Sequence, residues 1–274
     1  MELIEKIDRS IKLLKSIKSD EIELSYSGGK DSDVILELAK MADIRYRAIY
    51  KKTTIDPAGT IKHCRENGVE IREPKIRFFD LIKQNGFPTR RARFCCEDLK
   101  EYKILDNAIQ GIRRCESVKR MKRYKEPIVC RIYGNKKNHV NVVLPILEWT
   151  DRDISDFIAM QNIQCHPLYY DANGHFNVKK RLGCRGCPLQ ADNGLSDFKE
   201  TPNLVKAWIN AGQEWWDKPR EKPPKCHSKF ESIYDLFVHN VFFNSYESFS
   251  IAKEGAFGKM DCKEALESYF KIKL

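Results

Sequence analysis

The chain has 274 residues, with 49 Lys and Arg against 39 Asp and Glu, giving a formal net charge of +10. That length permits one domain with an appendage or two small domains, with a substantial core in either case. No apolar run approaches the ~20 residues a membrane-spanning helix needs. Met1 to Asp20 is charged throughout and shows no signal-peptide pattern, so a cytoplasmic location without membrane contact is expected. A basic excess attracts anions in general and fits a nucleotide as well as a nucleic acid.

The first element is a strand over 22–25, because Glu21-Ile22-Glu23-Leu24 alternates polar and apolar residues. It runs into Ser25-Tyr26-Ser27-Gly28-Gly29-Lys30-Asp31-Ser32, after which Val34, Ile35, Leu38 and Met41 fall at helical spacing and predict a helix over 32–41. Two glycines let backbone approach a ligand without a Cβ in the way. Free N–H groups at a helix start, with the helix dipole behind them, favour a bound phosphate. Lys30, Ser27 and Ser32 can add donors. A bare Gly-Gly would be an ordinary turn, but the whole octet between strand and helix predicts a phosphate-holding loop. It departs from the Walker pattern, since Leu24 stands where the first glycine belongs and Asp31 follows the lysine in place of Ser or Thr.

Further along, a strand is expected at 45–50, a helix at about 57–67 and a short strand near 69–72. Helical patterns at Phe79–Gln84 and Glu97–Leu105 bracket Cys95-Cys96. Val129–Tyr133 and Val140–Val143, separated by Gly134-Asn135-Lys136-Lys137-Asn138, predict a β-hairpin. Thr150 and Asp153 read as N-cap and first-turn acid of a helix through Phe157, and Trp149 as a core aromatic. The alternation of strands and helices predicts an α/β fold, a mainly parallel twisted sheet flanked by helices. Ligands in such sheets sit beyond the strand C-termini, where the Ser25–Ser32 loop, Thr53 and Arg113 would fall.

Ten cysteines are present, and in a cytosolic chain clustered cysteines more often bind metal or do chemistry than form disulfides. Adjacent Cys95-Cys96 and the later Cys184-Arg185-Gly186-Cys187 stand out. Four thiolates suit tetrahedral zinc or an iron–sulfur cluster. Adjacent side chains diverge, which suits separated iron corners better than one zinc. Arg90, Arg91 and Arg93 beside the pair would stabilise thiolates or hold an anionic substrate.

After about residue 195 the character changes. Trp208, Trp215 and Trp216 crowd one region, Lys218–Lys225 is a basic proline-rich loop, and Phe230–Phe249 is aromatic-rich. The expected organisation is a nucleotide-binding domain with the metal cysteines over 1–194 and a smaller, mostly helical appendage over 195–274. The basic loop with flanking aromatics is a solvated loop or a nucleic-acid contact.

The octet resembles the S-G-G-K-D-S loop of the ATP pyrophosphatase (PP-loop) superfamily, a Rossmann-like fold whose members bind adenine nucleotides. The C-C…C-x-x-C arrangement resembles the [4Fe–4S] signature of the phosphoadenylylsulfate (PAPS) reductase family. Thr53-Thr54-Ile55-Asp56-Pro57 resembles that family's Thr-rich turn, Gly111-Ile112-Arg113-Arg114-Cys115-Glu116-Ser117-Val118-Lys119-Arg120 its G-x-R-x-x-E-S-x-x-R block, and Pro145–Ile154 its P-[I/L]-x-x-W-[T/S] segment. The likeness runs from about Glu21 to Gln190. It implies nucleotide contacts at Ser25, Ser27, Gly28, Gly29, Lys30, Asp31, Ser32, Thr53 and Arg113, with Mg²⁺ arriving with ATP, and a [4Fe–4S] cluster on Cys95, Cys96, Cys184 and Cys187.

Two enzyme readings follow from the resemblance. A reductase releases sulfite from phosphoadenylylsulfate or adenylylsulfate with a tail cysteine and a thiol reductant. Cys262 is the candidate nucleophile here, but Lys259-Met260-Asp261-Cys262-Lys263-Glu264-Ala265 lacks the Gly and His of the family's E-C-G-[I/L]-H tail. The full octet resembles members that hydrolyse ATP, so adenylation with pyrophosphate release coupled to sulfur transfer is expected first. Lys30 and Asp31 would be the catalytic residues, nucleic acid a candidate acceptor, and a sulfur-donor protein a candidate partner. A nucleotide or redox sensor is the non-enzymatic alternative.

Overall fold

The computed structural model describes residues 2–133, 138–255 and 258–274. In chain order the elements are α1 (Leu3–Lys15), β1 (Glu23–Tyr26), α2 (Lys30–Met41), β2 (Arg47–Lys51), α3 (Thr60–Glu66), β3 (Glu70–Arg72), α4 (Phe78–Asn85) and α5 (Phe94–Leu99). Then come β4 (Asn107–Ile109), α6 (Val118–Arg123), β5 (Ile128–Tyr133), β6 (Asn138–Val143) and α7 (Asp151–Met160). The last five are α8 (Leu195–Glu200), α9 (Pro202–Trp216), α10 (Ile233–Phe242), α11 (Tyr246–Glu254) and α12 (Cys262–Phe270). Among the described residues no helix is long and apolar enough to cross a membrane.

Two compact units divide the chain. One comprises Met1–Pro74 and Glu97–Gly183, the other Lys75–Cys96 and Cys184–Leu274. This differs from a single cut at residue 194: the Lys75–Cys96 segment joins the C-terminal helices, and the Cys184–Cys187 loop goes with it. Burial explains the difference, because the apolar faces of α4 and of Phe87 pack on aromatics that lie far along the chain. Phe78 and Phe87 stand 5.2 and 5.8 Å, ring to ring, from Trp208.

The first unit carries a six-stranded sheet in the order β3-β2-β1-β4-β6-β5. All neighbours are parallel except β5 and β6, which form an antiparallel hairpin. The sheet is thus mainly parallel, as the alternating pattern predicts. The expected hairpin loop residues 134–137 lie outside the described residues. Leu24, Ile49, Ala108 and Val142 are buried on adjacent strands, with Val34, Ile35 and Leu38 of α2 and Ile154 and Phe157 of α7 also buried. Trp149 is buried with its ring 5.3 Å from Phe157, a core aromatic as expected. Thr150 and Asp153 form a capping box at the start of α7. The helix expected over Glu97–Leu105 is instead α5, which ends at Leu99.

The second unit is helical. Phe198, Trp208 and Phe237 form its aromatic centre, with ring separations of 5.3 to 6.5 Å. Gly212 admits Phe87 there, since a Cβ at that position would stand 2.5 Å from the Phe87 ring.

Candidate functional site

The parallel strands β1 and β2 run level, with Tyr26 in register with Tyr50, and β4 stops at Ile109 opposite Leu24. The loops that follow them therefore emerge at one end of the sheet, where such folds hold ligands. Ser27 and Gly28 turn the chain into α2, and Gly28 sits at φ +76°, a conformation that favours glycine. No side chain caps α2. The hydroxyl of Ser32 donates back to Gly29 O at 2.7 Å, and Ser27 Oγ lies 3.2 Å from Ser32 Oγ.

Lys30 and Asp31 are a contact pair, with Nζ 3.0 Å from Oδ2. The other Asp31 oxygen accepts from Arg113 Nε at 2.7 Å. Arg113 is 1% exposed and also reaches Asp151 Oδ1 at 2.9 Å, Cys115 Sγ at 3.1 Å and Trp149 O at 3.5 Å. Burial alone would lower its pKa, but Asp31, Cys115 and Asp151 outweigh that and push it up. Gly111 makes the approach possible: a Cβ there would stand 2.9 Å from Asp31 O. Arg113 thus anchors the carboxylate of the phosphate loop to the β4 connection.

Two other expected contact residues turn toward protein groups. Ser25 Oγ donates to Glu23 Oε1 at 3.2 Å, and Glu23 is itself buried against Lys51 Nζ at 3.0 Å. Thr53 gives Asp56 both its N–H (2.9 Å) and its hydroxyl (2.5 Å), so it shapes the turn after β2.

Several residues at this end were not legible as site residues. Asp33, buried on α2, accepts from the Tyr26 hydroxyl and lies 3.0 Å from His63 Nε2. The thiol of Cys165 beside it is held above its ordinary range by burial first and by Asp33 second. Cys115 is an exposed residue whose Sγ donates to Trp149 O at 3.2 Å. Burial raises its thiol, partly offset by Arg113. Tyr169 brings its hydroxyl to the start of α2, where Leu182 N–H donates to it at 3.3 Å. A buried acid within the α2 pattern was the one local signal. The others depend on contacts between distant segments.

In the second unit, Cys95, Cys96, Cys184 and Cys187 belong to one compact body and are half-buried. The Cys95 thiol is held far above its ordinary value by its hydrogen bond to Cys96 first, then by burial and by the charges of Cys96, Cys184 and Cys187. Thiolate sulfur is a metal ligand, and binding a cation requires such thiols to give up their protons. Arg93 Nη2 lies 3.6 Å from Cys96 Sγ. Among the described residues no group of three or more His, Cys, Asp or Glu is placed to hold a metal ion. The Cys184–Cys187 loop is braced by Asp197, which accepts from Gly186 N–H at 2.7 Å and from Gln190 Nε2 at 2.8 Å.

Cys262, the candidate nucleophile, is a buried residue. It is 3% exposed at the start of α12, and its thiol is pushed up to about 12 by burial and by its hydrogen bond to Asp235. A buried, protonated thiol is a poor nucleophile.

One body is thus a parallel α/β sheet with a Gly-Gly-Lys-Asp loop at the end where such folds hold ligands, and the other a helical unit carrying the paired cysteines. Residues 21–190 match the phosphoadenosine phosphosulfate reductase domain model, and the chain belongs to that family. An uncharacterized protein of Methanocaldococcus jannaschii is 29% identical over 76% of this chain and 53% of its own length. Sulfate adenylyltransferase subunit 2 of Acinetobacter baumannii is 26% identical over 54% of this chain and 59% of its own. The crystal structure of phosphoadenylyl-sulfate (PAPS) reductase from Candida auris has a TM-score of 0.44 at 12% identity, covering 66% of this chain and 93% of that one. The chain spans about half the length of the curated relatives first matched.

Proposed function

We propose that this chain binds Mg·ATP at the Ser27–Ser32 loop and adenylates an acceptor, releasing pyrophosphate, as the activating half of a sulfur transfer. The observation that carries the reading is the Lys30–Asp31–Arg113 arrangement. It holds an ammonium and an anchored carboxylate at an uncapped helix start, where phosphate charge is stabilised. An acceptor oxygen attacks the α-phosphorus, the bond to the bridging oxygen breaks, and pyrophosphate leaves with the electron pair. Lys30 stabilises the charge that develops on the leaving phosphates. A sulfur nucleophile then displaces AMP, which departs with the acceptor oxygen.

Cys95, Cys96, Cys184 and Cys187 would hold a [4Fe–4S] cluster, which when bound supplies a redox-active, sulfur-binding centre. Arg93 and Asp197 keep those cysteines in place, by charge at Cys96 and by bracing the Cys184–Cys187 loop. Nucleic acid is the acceptor class we favour. The net charge of +10 supports it, as do the exposed Lys119, Lys122, Arg123 and Lys125 within a seven-residue stretch.

Burial of Cys262 weighs against the reductase reading, which needs an accessible tail thiolate. The deciding experiment uses anaerobically purified, iron-loaded protein. One arm measures pyrophosphate release from ATP with tRNA or DNA present. The other measures sulfite release from adenylylsulfate and phosphoadenylylsulfate with thioredoxin and dithiothreitol. Acceptor-dependent pyrophosphate without sulfite is expected; sulfite production would overturn the reading in favour of a reductase. Tight nucleotide binding without turnover in either arm would instead make the chain a sensor.

A further inference from the structure

We propose that Tyr169 is a direct ligand of the bound nucleotide, its phenol O–H donating to a phosphoryl oxygen at the start of α2. This rests on the nucleotide-loop reading above and adds to it a residue that lies more than a hundred positions from the loop in sequence.

Tyr169 closes the short 3-10 turn Pro167–Tyr169, which His166 caps by accepting from Leu168 N–H at 3.2 Å. The side chain is 2% exposed. Its oxygen stands against the loop backbone, so that a Cβ on Gly29 would lie 3.0 Å from it. Leu182 N–H donates to that oxygen at 3.3 Å, and the backbone N–H of Lys30 favours the ionised phenol, partly offsetting burial. The Leu182 contact uses the oxygen as acceptor. Among the described residues the phenol's own proton has no acceptor, and a buried O–H without one is costly unless something fills the place. The neighbourhood selects an anion: the α2 N-terminus lies beside the oxygen, and Lys30 Nζ is 5.5 Å from the Tyr169 ring centre. Burial holds the phenol above its ordinary pKa, so it stays neutral and donates beside a phosphate instead of repelling it. The Leu182 N–H drawing on the oxygen makes its proton a stronger donor.

The test is calorimetric titration of the full chain and of Tyr169→Phe with Mg·ATP, inorganic pyrophosphate and adenosine. A hydrogen bond to a charged group predicts a loss of about tenfold or more in affinity for ATP and for pyrophosphate in Tyr169→Phe. Adenosine, which lacks the phosphates, binds both proteins alike. Equal affinity for pyrophosphate overturns the assignment. Tighter binding overturns it too, and would mean that the phenol competes with phosphate for the Lys30 N–H. If the wild-type chain binds neither ATP nor pyrophosphate, the nucleotide-loop reading falls and this one with it. If it binds both and only the Phe comparison fails, the loop reading stands alone. Should Tyr169→Phe not fold, 3-fluorotyrosine at position 169 keeps the packing; its ¹⁹F resonance shifts on pyrophosphate addition if the phenol is a ligand, and an unmoved resonance refutes the proposal.

Discussion

Arg113 Nε donates to Asp31 Oδ1 at 2.7 Å, and this contact fixes the β4 connection to the first turn of α2. The same guanidinium reaches Asp151, Cys115 and the Trp149 carbonyl, so it works as a junction of three segments.

Arg113→Lys removes that junction while keeping the charge. A single ammonium cannot reproduce the fork that serves Asp31 and Asp151 together. Stability should fall by about 2 kcal/mol, less than for a fully buried broken pair because water can reach the carboxylates. ATP affinity should fall with it as Asp31 loses its anchor. Urea unfolding and calorimetry measure the two effects, and an unchanged unfolding midpoint would contradict the junction role.

Cys262 and Cys64 have thiols raised from the ordinary 9.0 to about 12, each by burial first. The unfolded chain releases these protons near pH 9 and the folded chain only near pH 12. Their contribution to stability is therefore complete below pH 9 and is lost as pH rises through that window. Thermal midpoints recorded from pH 8 to 11 should drop, and Cys262→Ser should make the drop shallower. Pyrophosphate release should survive this substitution, since the buried thiol takes no part.

Gly186 holds φ +68° between Cys184 and Cys187, and a Cβ there would stand 2.8 Å from Phe198 Cζ. Gly186→Ala should cost about 1–3 kcal/mol and reduce iron retention, because the loop cannot keep its shape. Cys96→Ser should abolish the four-iron absorbance while leaving ATP affinity intact. Iron assays with visible spectra decide both, and full four-iron absorbance in Cys96→Ser would remove that residue from the ligand set.

Cys115 and Cys130 are exposed, whereas Cys64, Cys165 and Cys262 are buried. Iodoacetamide should label the first two in the folded protein and spare the other three. Cys115 touches the guanidinium that anchors Asp31, so bound ATP should slow its labelling and leave Cys130 unaffected. Peptide mass spectrometry reads the pattern; labelling of Cys115 indifferent to ATP would separate it from the nucleotide site.

What could be read from the sequence was local. The strand–turn–helix frame around Gly28 and Gly29 follows from an alternating run, two glycines and a helical repeat within some twenty residues, and α2 starts at Lys30, two residues before the expected 32–41. The mainly parallel sheet follows from the same alternation repeated. The Thr150–Asp153 capping box also lies within four residues. β4 escaped because three residues, Asn107–Ile109, are too few for a period to show.

Tertiary packing decided the rest, since side-chain partners far apart in sequence leave no local pattern. That Thr53 gives both its N–H and its hydroxyl to Asp56 could not be read from the expected ligand contact. Lys75–Cys96 leaves the sheet-bearing unit because Phe78 and Phe87 find their apolar surroundings at Trp208 and Phe237, which puts all four paired cysteines in one body. The octet, by itself, determined that a phosphate-type loop stands at a helix start. That Arg113 steadies its carboxylate and that Tyr169 places a hydroxyl against its backbone were decided only by the fold, which brings the ends of parallel strands and their return loops to one place.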